Sequence, residues 1–253
     1  SSFSGCNKLQ TVTIPADSEL LSIGKEAFNE TLIQSLFIPS KLNELKEGWC
    51  RGTKNLTDIS ISADNNRYKY HDDKFILQKM TDNGDSFDSL IFCRRDCEEA
   101  TIPANIKEIH SYSFSECAKL KKVNLQDCPN LTLLEEHSFS YSAIEHVSIP
   151  SKLKDIKPYS FYSCKQLIDV EWSTESELLV IGAFSFSASS IHGIFIPKSV
   201  EHICESAFYE CQNLQTVTLS EDSQLRSIGK SSFALSQINM IFIPSRVEHI
   251  GEY

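Results

Sequence analysis

The sequence predicts a solenoid, a stack of about ten short coils with one shared core, because a small residue followed by an aromatic one recurs at regular intervals. From Phe114 onward the steps between these aromatics are 25, 22, 25, 22 and 25 residues, through Phe139, Phe161, Phe186, Phe208 and Phe233. The chain begins with the same rhythm, since Phe3, Phe28 and Cys50 are separated by 25 and 22 residues. The repeating unit is therefore a pair of coils 47 residues long.

Each coil contains a four-residue stretch in which apolar and polar residues alternate, as in a strand with one buried face. Such stretches lie at residues 11–14, 35–38, 122–125, 146–149, 169–172, 193–196 and 240–243. A coil with about six apolar side chains forms no closed core alone, so the coils must stack. We expect ten strands in one parallel β-sheet. On the opposite face, the small and polar residues that end in Phe28 or Phe208 predict a short helical or 3₁₀ turn.

One interval breaks the repeat and predicts an insertion. Ile59 and Ala100 are 41 residues apart, 17 more than the regular step. Two strand-like segments, 74–80 and 87–93, flank the turn pair Asn83-Gly84. We predict a β-hairpin, at about residues 66–93, that protrudes from a single solenoid domain spanning 1–253. The hairpin is either a structural embellishment or part of a ligand-binding rim.

Composition and motifs argue against several functions. A net charge of −10 disfavours nucleic acid and anionic membranes as partners. The seven histidines are scattered, and the sequence contains no GxSxG, phosphate-binding glycine loop or HExxH motif, so we predict neither an enzyme nor a cofactor. Nine cysteines without a paired CxxC spacing do not indicate a metal site.

The cysteines follow the repeat. Cys6, Cys117, Cys164 and Cys211 occupy the same slot in alternate coils. Equivalent positions two coils apart should lie about 9–10 Å from each other, too far for a disulfide. We expect them to be reduced and buried. Cys93 and Cys97, beside the insertion, are close enough in sequence to pair, and the sequence leaves open whether they do.

Outward positions of the predicted sheet are the candidate binding surface, because a curved solenoid presents them as one extended face. Phe37, Phe195 and Phe242 lie at such positions, with Met240 beside Phe242. Exposed aromatic area is enriched at protein interfaces. A polar patch on the same face includes His146 and Glu171 and would form a rim. The alternative is that flanking side chains or another chain segment cover the phenylalanines.

The repeat resembles a known family. The pattern of Ile196-Pro197, Val200, Ile203, Ala207-Phe208, Cys211 and Leu214 is similar to the BspA-like class of leucine-rich repeats, known from Treponema. The serine- and cysteine-rich coils resemble copies from protist parasites. The resemblance implies a leucine-rich repeat solenoid on a cell surface, or secreted, that binds host extracellular proteins or cells. Two alternatives remain, an intracellular interaction scaffold and an architectural spacer. The stretch 1–253 carries no capping repeat, so we also expect its ends to associate end to end.

Overall fold

The computed structural model describes residues 2–81 and 84–252, which form short β-strands and turns and no helix. The strands are numbered β1 to β21 along the chain, and most belong to two parallel ladders that run the length of the stack. The predicted solenoid of about ten coils is confirmed. The turn Asn83-Gly84 lies partly outside the described residues, so its geometry stays a prediction.

Ladder A is the predicted strand face. Its strands are β2 (Ser35–Ile38), β4 (Asp58–Ile61), β8 (Glu99–Thr101), β10 (Lys122–Asn124), β12 (His146–Ile149), β14 (Asp169–Trp172), β16 (Gly193–Phe195), β18 (Thr216–Thr218) and β20 (Met240–Ile241). The register aligns core residues of successive coils, as where Val147 pairs with Val123 and Val170. Two details of the prediction are wrong. Residues 11–14 form no strand, and the ladder is divided into sheets of two, four and three strands.

Ladder B was not predicted. It consists of two-residue strands, too short to give an alternating pattern: β1 (Ser22–Ile23), β3 (Glu44–Leu45), β9 (Glu108–Ile109), β11 (Leu133–Leu134), β13 (Asp155–Ile156), β15 (Val180–Ile181), β17 (His202–Ile203), β19 (Ser227–Ile228) and β21 (His249–Ile250). Coils with a strand in each ladder therefore make hydrogen bonds to a neighbouring coil along both.

The turns that end in the repeated aromatics are neither helical nor 3₁₀, and that prediction is wrong. In each turn, two residues four positions apart have positive φ, as do His137 (φ 57°) and Tyr141 (φ 60°). Alternate amides then point to the next coil, so that Phe139 N donates to Ser160 O at 2.8 Å. The intervening amides close local turns, as where Ser140 N donates to His137 O at 3.2 Å. These bonds between coils offset the strain of left-handed residues, about 1–2 kcal/mol each.

The repeated phenylalanines form a stack through the core. From Phe114 to Phe233 successive rings are 4.6–5.3 Å apart with interplanar angles of 2–13°. Rings from Phe114 to Phe208 are fully buried. Because each ring packs between those of adjacent coils, the aromatic slot provides the coil-to-coil packing that no single coil could supply.

The insertion contains three antiparallel strands rather than two: β5 (Tyr68–His71), β6 (Phe75–Lys79) and β7 (Phe87–Cys93). It does not protrude, because β7 pairs in parallel with β9 of ladder B. Successive side chains of β6 face opposite sides, and those of β7 also divide between the two sides. Phe75 and Leu90 pack into the core of the later coils, whereas Ile76 and Phe92 pack into that of the earlier coils. The insertion is therefore an internal wall, and the core is divided at this point.

All nine cysteines are free thiols, including Cys93 and Cys97. Cys117, Cys164 and Cys211 are buried as predicted, whereas Cys6, in the first coil, is exposed. The buried thiols make hydrogen bonds to the preceding coil, since Cys164 Sγ lies 3.1 Å from Phe139 O and 3.4 Å from Ser142 Oγ.

Candidate functional site

The outward face of ladder A contains a continuous groove that brings three of the predicted residues together. Its larger part has a volume of about 590 Å³ and is lined by residues that include Glu171, Trp172, Phe195 and Pro197. A smaller part, about 240 Å³, is lined by residues that include His146 and Glu171. Glu171 lies in both parts, so we name the whole the ladder A groove.

Phe195 forms the apolar edge of this groove. It is the last residue of β16, its Cα pairs with Thr218, and half of its surface is exposed (50%). The neighbouring coil places a threonine rather than a bulky residue beside it, which leaves one side of the ring open. The exposed area of Phe195 is therefore a consequence of the local sequence.

Trp172 is a groove residue that the sequence analysis did not select. It ends β14, where its Cα pairs with Ile149, and its ring contacts Phe186 edge-on at 6.3 Å. Its buried Nε1 has no hydrogen-bond partner among the described residues. The sequence did contain a signal for this residue, because Trp172 occupies the repeat position that Ile149 occupies in the preceding coil.

The polar end of the groove is ordered by side-chain hydrogen bonds. Ser148 Oγ donates to Asn124 Oδ1 at 2.9 Å, and Asn124 Nδ2 donates to Asp127 Oδ2 at 2.7 Å. His146 Nδ1 lies 3.9 Å from Asp169 Oδ2 on the adjacent strand. Glu171 is exposed and stands between this polar end and Phe195. The groove thus combines an apolar wall, hydroxyl and amide groups, and an available carboxylate.

The remaining predicted residues lie apart. Phe37 is only partly exposed and pairs with Ser60 at the other end of ladder A, so it does not join the groove. Met240 (81% exposed) and Phe242 (50%) belong to the last coil, two coils beyond Phe195. The structure therefore divides the predicted site into the groove and two separate apolar positions.

A second groove of about 530 Å³ lies beside ladder B, lined by residues that include Glu47, Trp49, His110 and Glu135. Its polar groups are paired with each other. Glu135 Oε2 accepts hydrogen bonds from Ser111 N at 2.8 Å and Ser111 Oγ at 3.0 Å. His110 Nε2 lies 3.6 Å from Glu108 Oε2, and this interaction with His110 holds the pKa of Glu108 below the usual value. The buried Nε2 makes no hydrogen bond among the described residues. Glu135 is therefore less available to a ligand, and the described residues of this groove offer no exposed aromatic edge comparable to Phe195.

The turns carry an aromatic ladder of their own, also missed by the sequence analysis. Tyr112, His137, Tyr159 and Phe184 stack with ring centroids 4.6–5.0 Å apart and nearly parallel planes. All four occupy the first positive-φ position of their turns. Because each ring face covers the next, the ladder presents mainly ring edges to solvent. It is better suited to holding the turns together than to binding a flat ligand.

The sequence profile of the BspA type leucine-rich repeat region matches residues 1–75, 85–179 and 179–253, with six copies. The chain belongs to the BspA-type leucine-rich repeat family. This family and fold are typically protein-interaction modules without enzymatic activity. A comparison with curated protein sequences gave no match.

Solved structures with the same fold include three bacterial proteins, all less than 25% identical to this BspA-type chain. A leucine-rich repeat protein of Eubacterium ventriosum superimposes with a TM-score of 0.81 at 20% identity, over 96% of this chain and 63% of its own. A leucine-rich cell surface protein of Faecalibacterium prausnitzii gives 0.65 at 19% identity, over 99% and 62%. The pneumococcal vaccine antigen PcpA gives 0.63 at 17%, over 99% and 58%.

The BspA-type chain thus spans about three fifths of the length of each of these proteins. None of the described residues belongs to a helix that could span a lipid bilayer.

Proposed function

We propose that this chain is the non-catalytic recognition part of a cell-surface or secreted BspA-like protein, and that it binds host extracellular proteins or cells through the ladder A groove. The observation that carries the proposal is Phe195, half-exposed at the edge of a groove of about 590 Å³. An aromatic ring held on a rigid strand loses little conformational freedom on binding, which makes it an effective anchor.

The groove defines the chemistry of its partner. Trp172, Phe195 and Pro197 would contact an apolar or aromatic side chain, and Glu171 beside them would pair with a basic group. The net charge of −10 favours a basic partner surface over an acidic one. An extended protein segment with an apolar residue next to Lys or Arg satisfies all of these groups.

Two structural relatives support an extracellular location. The Faecalibacterium protein is described as a cell surface protein, and PcpA as a vaccine antigen. Those descriptions apply to those proteins, and they motivate the same location here. His146, at the polar end of the groove, stays a predicted contact. Phe37, Met240 and Phe242 lie outside the groove and stay predicted contacts that a longer partner would reach.

The test is binding of the purified chain to a panel of extracellular matrix proteins and epithelial cells, compared with Phe195→Ala. The matched control is Tyr141→Ala, which removes an aromatic residue of the same exposed fraction (50%) from the turn face. We expect saturable binding that weakens about 30-fold or more in Phe195→Ala, the effect of losing an interface anchor, and is unchanged in Tyr141→Ala.

Other outcomes would favour the alternatives. If no extracellular protein or cell binds, an intracellular scaffold becomes the better explanation, and the same groove should then capture an endogenous protein. If binding occurs but both variants retain it, the ladder A groove is not the site. If the native full-length protein adheres to cells without any contribution from residues 1–253, the coils are a spacer.

A further inference from the structure

The site of interest lies where the phenylalanine stack is interrupted. Cys50 replaces a ring in the coil after Phe28, and the guanidinium of Arg95 lies in the space between Cys50 and Cys117. Arg95 is buried, with 3% of its surface exposed, and stacks over Phe92 at 4.5 Å. A buried cation normally requires a carboxylate partner, because removing it from water is costly.

Arg95 instead bonds to carbonyl oxygens and sulfur atoms in the described part of the chain. Its Nη1 donates to Ser113 O at 2.9 Å and lies 3.7 Å from Cys117 Sγ. Its Nη2 donates to Tyr112 O at 3.2 Å and lies 3.4 Å from Cys50 Sγ. A cation among thiols favours their ionised form, which is the reactive one.

Two thiols and a backbone amide meet at one carbonyl oxygen of this turn. Arg94 O accepts from Cys97 N at 3.3 Å, Cys93 Sγ at 3.5 Å and Cys117 Sγ at 3.6 Å. The thiol of Cys97 itself donates to Glu99 O at 3.1 Å. Of these three cysteines, Cys97 is the one with measurable exposure (6%), since Cys93 and Cys117 are fully buried.

We propose that Cys97 and Cys93 form an oxidative modification site, in which Cys97 reacts with a peroxide and Cys93 then joins it in a disulfide. Cys93 Sγ and Cys97 N both donate to Arg94 O, and the turn that this oxygen closes brings the two residues together. Cys97 is the more exposed of the two, so the peroxide reaches it first. Interaction with the Cys93 thiol also holds the pKa of Cys97 below its usual value, whereas burial raises the pKa of Cys93. Cys97 is therefore the attacking thiolate and Cys93 the resolving thiol.

The chemistry balances with hydrogen peroxide as oxidant. The Cys97 sulfur attacks one peroxide oxygen, the O–O bond breaks, and hydroxide leaves as the S–O bond of a sulfenic acid forms. The Cys93 sulfur attacks the Cys97 sulfur, an S–S bond forms, the S–O bond breaks, and a second hydroxide leaves. The protons of the two thiols convert the hydroxides to water. The cysteine pair loses two electrons, which the peroxide gains.

The sequence allows a direct test. Trypsin cuts after Lys79, Arg94, Arg95, Lys107 and Lys119, so Cys93, Cys97 and Cys117 fall in separate peptides, 80–94, 96–107 and 108–119. The folded chain is treated with hydrogen peroxide, alkylated, digested without reduction and analysed by mass spectrometry. We expect peptides 80–94 and 96–107 to be linked, with the loss of two hydrogen atoms.

Variants assign the roles. Cys97→Ser should abolish the link, and Cys93→Ser should leave Cys97 as a sulfenic acid that a dimedone probe labels about tenfold more than in the parent chain. Cys117→Ser is the matched control and should keep the link. The proposal is overturned if 108–119 is the linked partner, or if Cys93 and Cys97 remain alkylatable at peroxide concentrations that oxidise the exposed Cys6. Mapping the unmutated chain decides the matter even if a variant fails to fold.

Discussion

His137 should make the stability of this protein fall between about pH 6.5 and pH 4. Its imidazole lies between the rings of Tyr112, at 4.9 Å, and Tyr159, at 4.6 Å. Burial lowers the pKa of His137 from 6.5 to about 4, and the nearby positive charge of Arg51 acts in the same direction. Aromatic faces favour a cation, so in this stack the cost of desolvation is the stronger effect.

The sign follows from proton binding. Because the folded protein takes up this proton less readily than the unfolded chain, protonation favours unfolding, and the stabilisation present above pH 6.5 is lost as pH falls towards 4. The full shift corresponds to roughly 3 kcal/mol, which solvent screening of a partly exposed group reduces to about 1–2 kcal/mol. For a chain of this size, that is a decrease in Tm of about 2–8 °C.

The assay compares thermal unfolding, followed by circular dichroism, of the parent chain and His137→Phe at about pH 7.5 and about pH 4.5. Carboxylates also titrate in this range, so the informative quantity is the difference in Tm between the two proteins. We expect that difference to shift in favour of the variant by about 2–8 °C on acidification. Tyr159→Phe, which alters the next ring of the stack without removing a histidine, should show no such shift. Parallel acid profiles for His137→Phe and the parent would refute the reasoning.

Three further predictions concern the core and its polar groups. Phe161→Ala removes a fully buried ring that lies 5.3 Å from Phe139 and 5.1 Å from Phe186. It should lower the free energy of unfolding in urea by about 3–5 kcal/mol. The control Tyr141→Ala, at an exposed position, should change this free energy by less than about 1 kcal/mol. Asn65→Ala removes four hydrogen bonds of 2.7–2.9 Å that fix the start of the insertion. It should lower the free energy of unfolding by about 2–4 kcal/mol in the same assay. A smaller decrease than that caused by Tyr141→Ala would contradict this role of Asn65. Burial raises the pKa of Cys164 to about 12, whereas Cys6 is exposed. A thiol reagent at about pH 8 should therefore label Cys6 and leave Cys164 unmodified until the chain unfolds. Equal labelling rates for the two cysteines would contradict the burial of Cys164.

Periodicity predicts the parts of this fold that repeat over long distances. The spacing of the aromatics placed Phe114, Phe139 and Phe161 in one stack, and the pairing of Val123 with Val147 follows the predicted core positions. Both depend on side-chain burial, which leaves a clear trace in residue type. The polar and aromatic candidates of ladder A lie on its outward face, as their positions in the alternating pattern predicted.

Local geometry was less accessible to sequence reasoning. The segment before Phe139 looks helical because it is small, polar and ends in an apolar residue, yet its amides bond to the next coil, which no local pattern reveals. Ladder B strands such as Leu133–Leu134 are too short to alternate. In the insertion, two of the three strands were predicted and β5 was missed. An apolar run such as that of β7 also does not show that its side chains contact two different cores.

The insertion interrupts the phenylalanine stack, and the cysteine cluster lies at this interruption. In the regular coils, the residue whose amide bonds to the next coil at this point is a phenylalanine, as where Phe114 N donates to Ser138 O. In the insertion the equivalent residue is Cys93, at the end of β7, whose N donates to Ser113 O at 2.9 Å. The insertion therefore adds no ring to the phenylalanine stack. The rings of Phe75 and Phe92 fill part of the gap, and the guanidinium of Arg95 fills the rest. Small thiols at Cys50 and Cys117 leave room for that cation and contact it through sulfur. The irregular coil thus gathers Cys50, Cys93, Cys97 and Cys117 around the buried Arg95 at the point where the repeat is interrupted.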